Sequence, residues 1–174
     1  MKNRLLLSLI LTISSVVLFS FQLPKNIQKK VDKEIKSVYG LDSFSLESTG
    51  FEKNDSLSFK IDISELYAVV SDSEVIGYAF VSKAPSKTDE FDYLVLFDTD
   101  FIIKKSKVLV YREDYGMEIG SKRWLQQFIG LDSSKQLDYG NDIVPISGAT
   151  ISAVSLTNAV NDLLKSIETI KTIR

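Results

Sequence analysis

The chain has 174 residues, with 21 basic and 23 acidic side chains and a formal net charge of −2. This length suits one domain with a short appendage, and a chain without a basic stripe is a poor candidate for binding nucleic acid. Cysteine and histidine are both absent, which excludes disulfides, Fe–S clusters, cysteine-attached haem, the usual zinc ligand sets and histidine-based catalytic triads. No calcium-loop pattern is present either, so we predict no metal site. Any redox chemistry must therefore come from a bound organic cofactor.

Residues 1–24 are predicted to form a signal peptide or a transmembrane anchor. Lys2 and Arg4 precede an uncharged run at residues 5–24, whose apolar part ends at residue 21. A helix that spans a bilayer needs about 20 such residues. The residues around 18–20 are a poor match to a signal-peptide cleavage site. The sequence therefore favours an uncleaved anchor, with membrane association through residues 5–21, but a cleaved signal stays open.

Residues 25–56 are predicted to form an amphipathic helix and a linker. Ile27, Val31, Ile35 and Val38 stand at helical spacing. Five lysines share this segment: Lys25, Lys29, Lys30, Lys33 and Lys36. Their side chains are either solvated or in contact with anionic lipid. A basic flank after an apolar run also favours a cytoplasmic position for the residues on its C-terminal side.

Residues 57–174 are predicted to form an α+β domain, an antiparallel sheet with packed helices. Alternating apolar residues predict a strand at residues 57–63. Further strands are predicted at residues 66–70, 75–83, 91–97 and 101–111, with turns at 71–74 and 98–100. Short turns imply antiparallel pairing. A short helix at residues 124–129 and a long amphipathic helix, with its apolar stripe from Val154 to Ile167, complete the domain.

The segment before the last helix carries the clearest functional pattern. Ser147, Gly148, Ala149 and Thr150 form a turn of small residues at a helix N-terminus, where free amides and the helix dipole favour a phosphate. Gly148 and Ala149 let a ligand approach the backbone, and Thr150 adds a hydroxyl. Ser152 is expected to satisfy an amide of the first turn. The alternative is an ordinary helix cap with no ligand.

Several motifs together resemble the FMN-binding domain family, found in subunits of sodium-pumping quinone reductases and related electron-transport complexes. The Ser-Gly-Ala-Thr segment at 147–150 resembles the family's flavin attachment motif. Residues 111–120 are similar to its Glu-Thr-Pro-Gly segment, and the aromatic-rich helix at 124–130 follows as in the family. The strand at 76–81 is similar to its Gly-Tyr strand. The similarities cover residues 64–166.

The resemblance implies an electron-transfer flavoprotein that carries FMN as phosphothreonyl-FMN on Thr150, attached by a flavin transferase. The cofactor would be surrounded by Ser147, Gly148, Ala149, Ser152, Glu113 and Gly116. It also implies a place on the periplasmic side of the cytoplasmic membrane and electron-transfer partners in that membrane. No catalytic residue is assigned, because the domain is expected to be an electron carrier rather than a complete enzyme.

Side chains near these motifs have two interpretations each. Glu113 either hydrogen-bonds the flavin or is solvated at a strand end. The aromatic rings either stack near the isoalloxazine or belong to the core: Tyr111, Tyr115 and Trp124. The cations either support the flavin's negative charge or are solvated: Arg112, Lys122 and Arg123.

One position departs from the family pattern. Family members usually have Asp three residues before the motif's serine, where this chain has Val144, and Asp142 lies two residues earlier. Two alternative functions therefore stay open. One is a flavin-dependent reductase of a small substrate, and the other is a flavin-free interaction domain of the same fold.

Overall fold

A computed structural model of the protein describes residues 23–51 and 61–173. Residues 1–22 of the predicted signal or anchor, which was predicted to span residues 1–24, and most of the predicted strand at residues 57–63 lie outside these ranges. Within them, no helix is both long enough and apolar enough to cross a membrane.

Within the described ranges, the sheet has five antiparallel strands in the order in which they occur along the chain. They are β1 (Ser45–Ser48), β2 (Leu66–Ser71), β3 (Glu74–Pro85), β4 (Glu90–Phe97) and β5 (Ile103–Val110). Each strand pairs with its neighbour in sequence, so the sheet is a meander, and short turns join the strands from β2 to β5. The predicted α+β class and the antiparallel sheet are confirmed.

Both predicted hairpin turns are present. Asp72 and Ser73 have φ angles of 51° and 68°, which suits a tight turn between twisted strands. In the β4–β5 turn, Asp98 Oδ1 accepts hydrogen bonds from the amides of Asp100 at 3.0 Å and Ile102 at 2.9 Å. Phe101 was predicted to begin the next strand, but its φ of 62° makes it a turn residue, and β5 begins two residues later.

In the part of the chain that the structure describes, three helices cover the two faces of the sheet: α1 (Lys25–Tyr39), α2 (Lys122–Leu125) and α3 (Thr150–Ile173). The short 3-10 helices Met117–Gly120 and Gln126–Phe128 flank α2. The apolar stripe of α3 packs with α2 on one face, around side chains such as Phe80, Tyr93 and Val95. On the other face α1 covers residues that include Leu94 and Leu96. The sheet is therefore buried on both sides, and the short and long helices predicted near the C-terminus are confirmed.

The predicted amphipathic helix is α1, whose Ile27, Val31 and Ile35 are buried. Its polar side chains also hold the sheet: Lys30 Nζ donates to the carbonyl oxygen of Leu109 at 2.6 Å. Glu34 forms an ion pair with Lys105. The division of the chain at residues 24 and 56 stays a prediction, although α1 and β1 both belong to this layered structure.

The predicted strand at residues 57–63 is wrong at its described end. Ile63 begins a 3-10 helix, Ile63–Glu65, and its side chain is fully buried. Asp62 Oδ1 accepts from the amide of Ser64 at 3.1 Å, a local bond that competes with strand pairing. The alternating pattern identified a buried side chain at Ile63 but not its backbone conformation.

Candidate functional site

The motif at residues 147–150 forms a turn that leads into α3. Gly148 has φ +80°, a conformation that glycine adopts without strain. A Cβ built on Gly148 would contact only Glu118 Oε2, at 3.9 Å, so this side of the backbone is open to a ligand. Ala149 is buried, and the side chain of Thr150 is exposed at the first residue of the helix. The turn is anchored to the core by Ala149 and presents the threonine hydroxyl to solvent.

The first turn of α3 has free hydrogen-bond donors. The first helical bond runs from the amide of Ala153 to the carbonyl of Ala149, at 2.9 Å. Within the residues that the structure describes, the amides of Thr150, Ile151 and Ser152 donate no hydrogen bond. Such donors at the positive end of a helix dipole suit a phosphate.

Gly116 lies directly against this turn. It has φ +82°, and a Cβ at this position would lie 2.9 Å from the carbonyl oxygen of Gly148 and 3.2 Å from Ala149 Cβ. It would also lie 3.0 Å from Tyr111 Oη. The structure therefore brings Gly116 beside the motif, and only glycine fits both the backbone conformation and the space.

Ser152 links the motif to the end of β5. Its side chain is only 2% exposed, and its Oγ lies 2.9 Å from Tyr111 Oη. The hydroxyl thus bonds to Tyr111, and the expected bond to an amide of the first turn is absent among the described residues. This contact fixes the start of α3 relative to the sheet.

A pocket of about 440 Å³ opens beside Thr150. One wall is the motif and the first turn of α3, at residues 148–152. Tyr111, Glu113 and Tyr115, which come after β5, form the second wall, and Lys87 of the β3–β4 turn completes the lining. The predicted site residues except Ser147 and Gly116 line this pocket, and Gly116 supports its wall.

Glu113 holds the β3–β4 turn. Its Oε1 accepts from Ser86 Oγ and from the amide of Thr88, both at 2.6 Å, and from the amide of Asp89 at 3.2 Å. Its Oε2 accepts from Thr88 Oγ1 at 2.7 Å. The hydrogen bonds from Ser86 and Thr88 lower the pKa of Glu113 from 4.5 to about 2. Neither interpretation from the sequence describes this role, because the carboxylate binds a turn far away along the chain.

The lowered pKa of Glu113 predicts a pH-dependent contribution to stability. The contribution is complete above the unfolded pKa, near 4.5, and is lost as pH falls towards the folded pKa, near 2. We expect wild type to melt at a higher temperature than Glu113→Gln at pH 6, with the difference shrinking to zero near pH 2. Melting curves by circular dichroism across this range measure it. A difference that stays constant with pH would contradict this role of the carboxylate.

The other aromatic and basic residues that the sequence singled out are either bound within the fold or exposed to solvent. Trp124 is 4% exposed and donates from Nε1 to the carbonyl oxygen of Val144 at 2.9 Å, so it belongs to the core. Tyr115 is 85% exposed at the rim of the pocket. Arg112 binds Asp92 at 2.5 Å and the carbonyl of Glu90, which directs its charge to β4. Two further cations are exposed and do not line the pocket: Lys122 and Arg123.

The segment that departs from the family pattern is firmly held. The amide of Val144 donates to Gln127 Oε1 at 2.7 Å, while its side chain is 63% exposed. Asp142 forms an ion pair with Lys135 and accepts from the amide of Asp138 at 2.9 Å, and both contacts lower its pKa. Asp142 therefore stabilises its own loop through Lys135 and the backbone of Asp138.

Fold and site together define a small α+β domain with free amides at a helix N-terminus that suit an anion. A protein-family model described as an FMN-binding domain matches residues 87–165, a range that contains the residues lining the pocket. The match supports an FMN-binding domain in this part of the chain and indicates FMN as its cofactor. No curated protein matches the sequence significantly.

The residues present fit the phosphate of FMN. Free amides, an exposed hydroxyl and one lysine surround the pocket, and Gly148 leaves the approach open. No cluster of acidic side chains suited to a metal ion occurs in the two described ranges. The sequence did not single out Lys87, since nothing in its local pattern distinguishes it from other surface lysines.

Proposed function

We propose that this protein is an electron carrier whose FMN is joined to Thr150 by a phosphoester. The main support is the position of Thr150. Its exposed hydroxyl begins α3 beside three free amides, inside the range that matches the FMN-binding domain. Bound FMN supplies one- and two-electron transfer. The sequence lacks a nicotinamide-binding glycine motif, which favours a relay over a complete enzyme.

The proposed attachment needs an activated phosphoryl donor. A flavin transferase would take FMN from a donor in which its phosphate is part of a pyrophosphate. A bond forms between Thr150 Oγ and the flavin phosphorus, and the pyrophosphate P–O bond breaks. The nucleoside monophosphate leaves, and the proton of the hydroxyl passes to a base of the transferase. No electrons change hands in this step.

Residues of this chain would position the hydroxyl of Thr150 and then bind the phosphodiester that is formed. The amides of the first turn of α3 would bind the phosphodiester oxygens. Gly148 keeps a side chain away from the approach, and Gly116 allows the segment after β5 to pack closely against the motif. The bond between Tyr111 and Ser152 fixes the direction of the helix. These groups position the cofactor, and none is assigned a chemical step.

We place the protein at the periplasmic side of the cytoplasmic membrane, with electron-transfer partners in that membrane. The apolar run at residues 5–21 and the family resemblance support this proposal. A covalent link suits such a place, because flavin that dissociates outside the cytoplasm is lost.

Flavin fluorescence of the denatured protein in a gel tests the attachment. The full chain is exported in a host that supplies a flavin transferase, and Thr150→Ala is compared with Thr172→Ala, an exposed threonine at the other end of α3. We expect wild type and Thr172→Ala to fluoresce and Thr150→Ala to be dark. A fluorescent Thr150→Ala band would place the flavin elsewhere. If the wild-type band is dark while a known substrate of the transferase fluoresces, the result would favour the flavin-free interaction domain. Val144 is the residue that suggests this alternative.

A further inference from the structure

We propose that Lys87 pairs with an anionic group of FMN and that Glu113 positions this lysine. The inference concerns the FMN site of the domain and does not require the covalent link to Thr150. Lys87 and Thr150 line the same pocket from opposite elements, the β3–β4 turn and the start of α3.

Lys87 is the available cation at the pocket. Its side chain is exposed and forms no ion pair or hydrogen bond with any other residue in the described ranges. Arg112, which lies between two residues of the second wall in the sequence, does not line the pocket and is bound to Asp92 at 2.5 Å. Among the residues that line the pocket, Lys87 is therefore the one positive charge that a ligand can use.

The charge balance of the site favours such a partner. Glu113 is the only acidic lining residue, and its charge is satisfied by four hydrogen bonds. Glu118 lies outside the lining but comes near Gly148, so it adds negative potential to the approach. A phosphate ester brings at least one further negative charge, and the helix dipole offsets only about half of a unit charge. A lysine on the opposite side of the pocket supplies the remaining positive charge.

Glu113 holds the turn that carries Lys87 in a fixed position. Its bonds reach the residues on both sides of Lys87, Ser86 at 2.6 Å and Thr88 at 2.6 and 2.7 Å. The amide of Ser86 donates to the carbonyl of Asp89 at 2.7 Å, so the turn is closed on itself. The carboxylate therefore acts through the turn and is a positioning residue, whereas Lys87 would touch the cofactor.

Two anionic groups of FMN are candidates, the phosphate and the isoalloxazine ring once it carries negative charge after reduction. Pairing with the phosphate strengthens binding equally in both redox states. Pairing with the reduced ring favours the reduced state and raises the reduction potential. A partly exposed pair of this kind changes an equilibrium by about three- to tenfold.

The experiment compares Lys87→Gln, Lys87→Arg and a matched control, Lys104→Gln. Lys104 is an exposed lysine near the start of β5, the strand end opposite to Tyr111. Apo-protein from a host without transferase is titrated with FMN under oxidising conditions, and quenching of flavin fluorescence gives the affinity. The reduction potential of the FMN-loaded protein is measured against redox dyes.

We expect Lys87→Gln to weaken FMN binding about three- to tenfold if the phosphate is the partner. If the reduced ring is the partner, the reduction potential falls instead, by up to about 59 mV for a tenfold change in a one-electron couple. Lys87→Arg should restore most of either effect, and Lys104→Gln should match wild type. Lys87→Gln indistinguishable from Lys104→Gln in both measurements would overturn the inference.

A second variant tests the positioning role. Glu113→Gln should shift the same quantity as Lys87→Gln, in the same direction but less, and should speed hydrogen exchange at the amides of Thr88 and Asp89. Faster exchange without any change in FMN binding or potential would show that Glu113 holds the turn but does not position Lys87 for the cofactor. If wild type binds FMN reversibly and is dark in the gel, covalent attachment fails while the pairing of Lys87 is still measured.

Discussion

Replacing Gly116 by alanine is expected to lower both the stability of the domain and the yield of covalent FMN. The new Cβ would lie 2.9 Å from the carbonyl oxygen of Gly148, closer than such contacts allow. Alanine would also be strained at φ +82°. We expect a loss of about 2–3 kcal/mol in the free energy of unfolding. Because the clash falls on the motif, Thr150 should shift and accept FMN several-fold more slowly.

Gly120→Ala is the matched control for this experiment. Gly120 ends the 3-10 helix that begins directly after Gly116, and a Cβ there would meet nothing within 4 Å. Urea unfolding gives the stability, and gel fluorescence after a fixed reaction time gives the rate of flavin attachment. Equal behaviour of the two variants would mean that the contact between Gly116 and the motif has no importance for either property.

Gly77→Ala is expected to have the largest effect on folding. A Cβ at Gly77 would overlap the carbonyl oxygen of Phe97 and lie 2.6 Å from Tyr39 Oη. The tyrosine hydroxyl itself donates to the Phe97 carbonyl at 2.6 Å, so α1 and two strands meet at this point. We expect a loss of about 3 kcal/mol or more, and melting temperature measures it.

Two further variants separate the causes of this loss. Gly40→Ala tests backbone strain alone, because Gly40 has φ +70° and open space around it, and it should cost about 1–2 kcal/mol. Adding Tyr39→Ala to Gly77→Ala should not restore stability, since the closest clash is with backbone. A Gly77→Ala protein as stable as Gly40→Ala would contradict the close approach seen at β3.

The sequence predicted those elements whose side chains repeat with a regular period. Ile27, Val31 and Ile35 predicted α1, and the stripe from Val154 onwards predicted α3. The strand β1 was missed because its sequence, Ser-Leu-Glu-Ser, has one apolar residue and owes its conformation to pairing with β2. At Ile63 the alternation was correct for burial, but the local bond of Asp62 decided the backbone.

At the site, the sequence identified what is local and missed what the fold assembles. The motif at residues 147–150 could be found because a helix start and a small-residue turn are adjacent in the chain. The hydrogen-bond partners of Glu113 could not be predicted, because Ser86 and Thr88 lie in the β3–β4 turn, far from Glu113 in the sequence. For the same reason, no sequence pattern identified Lys87 as a site residue. Trp124 was ambiguous until its bond to Val144 placed it in the core.

Side-chain hydrogen bonds hold the helix α3 in place at both of its ends. Its first turn bonds to Tyr111 through Ser152, and near its last turn Lys171 donates to the carbonyl of Asp100 at 2.8 Å. Between these points its apolar stripe is buried against the sheet. The backbone at Thr150 therefore has no hinge within α3. A group bound to the threonine hydroxyl would change direction only by rotation about its own single bonds or together with the whole domain.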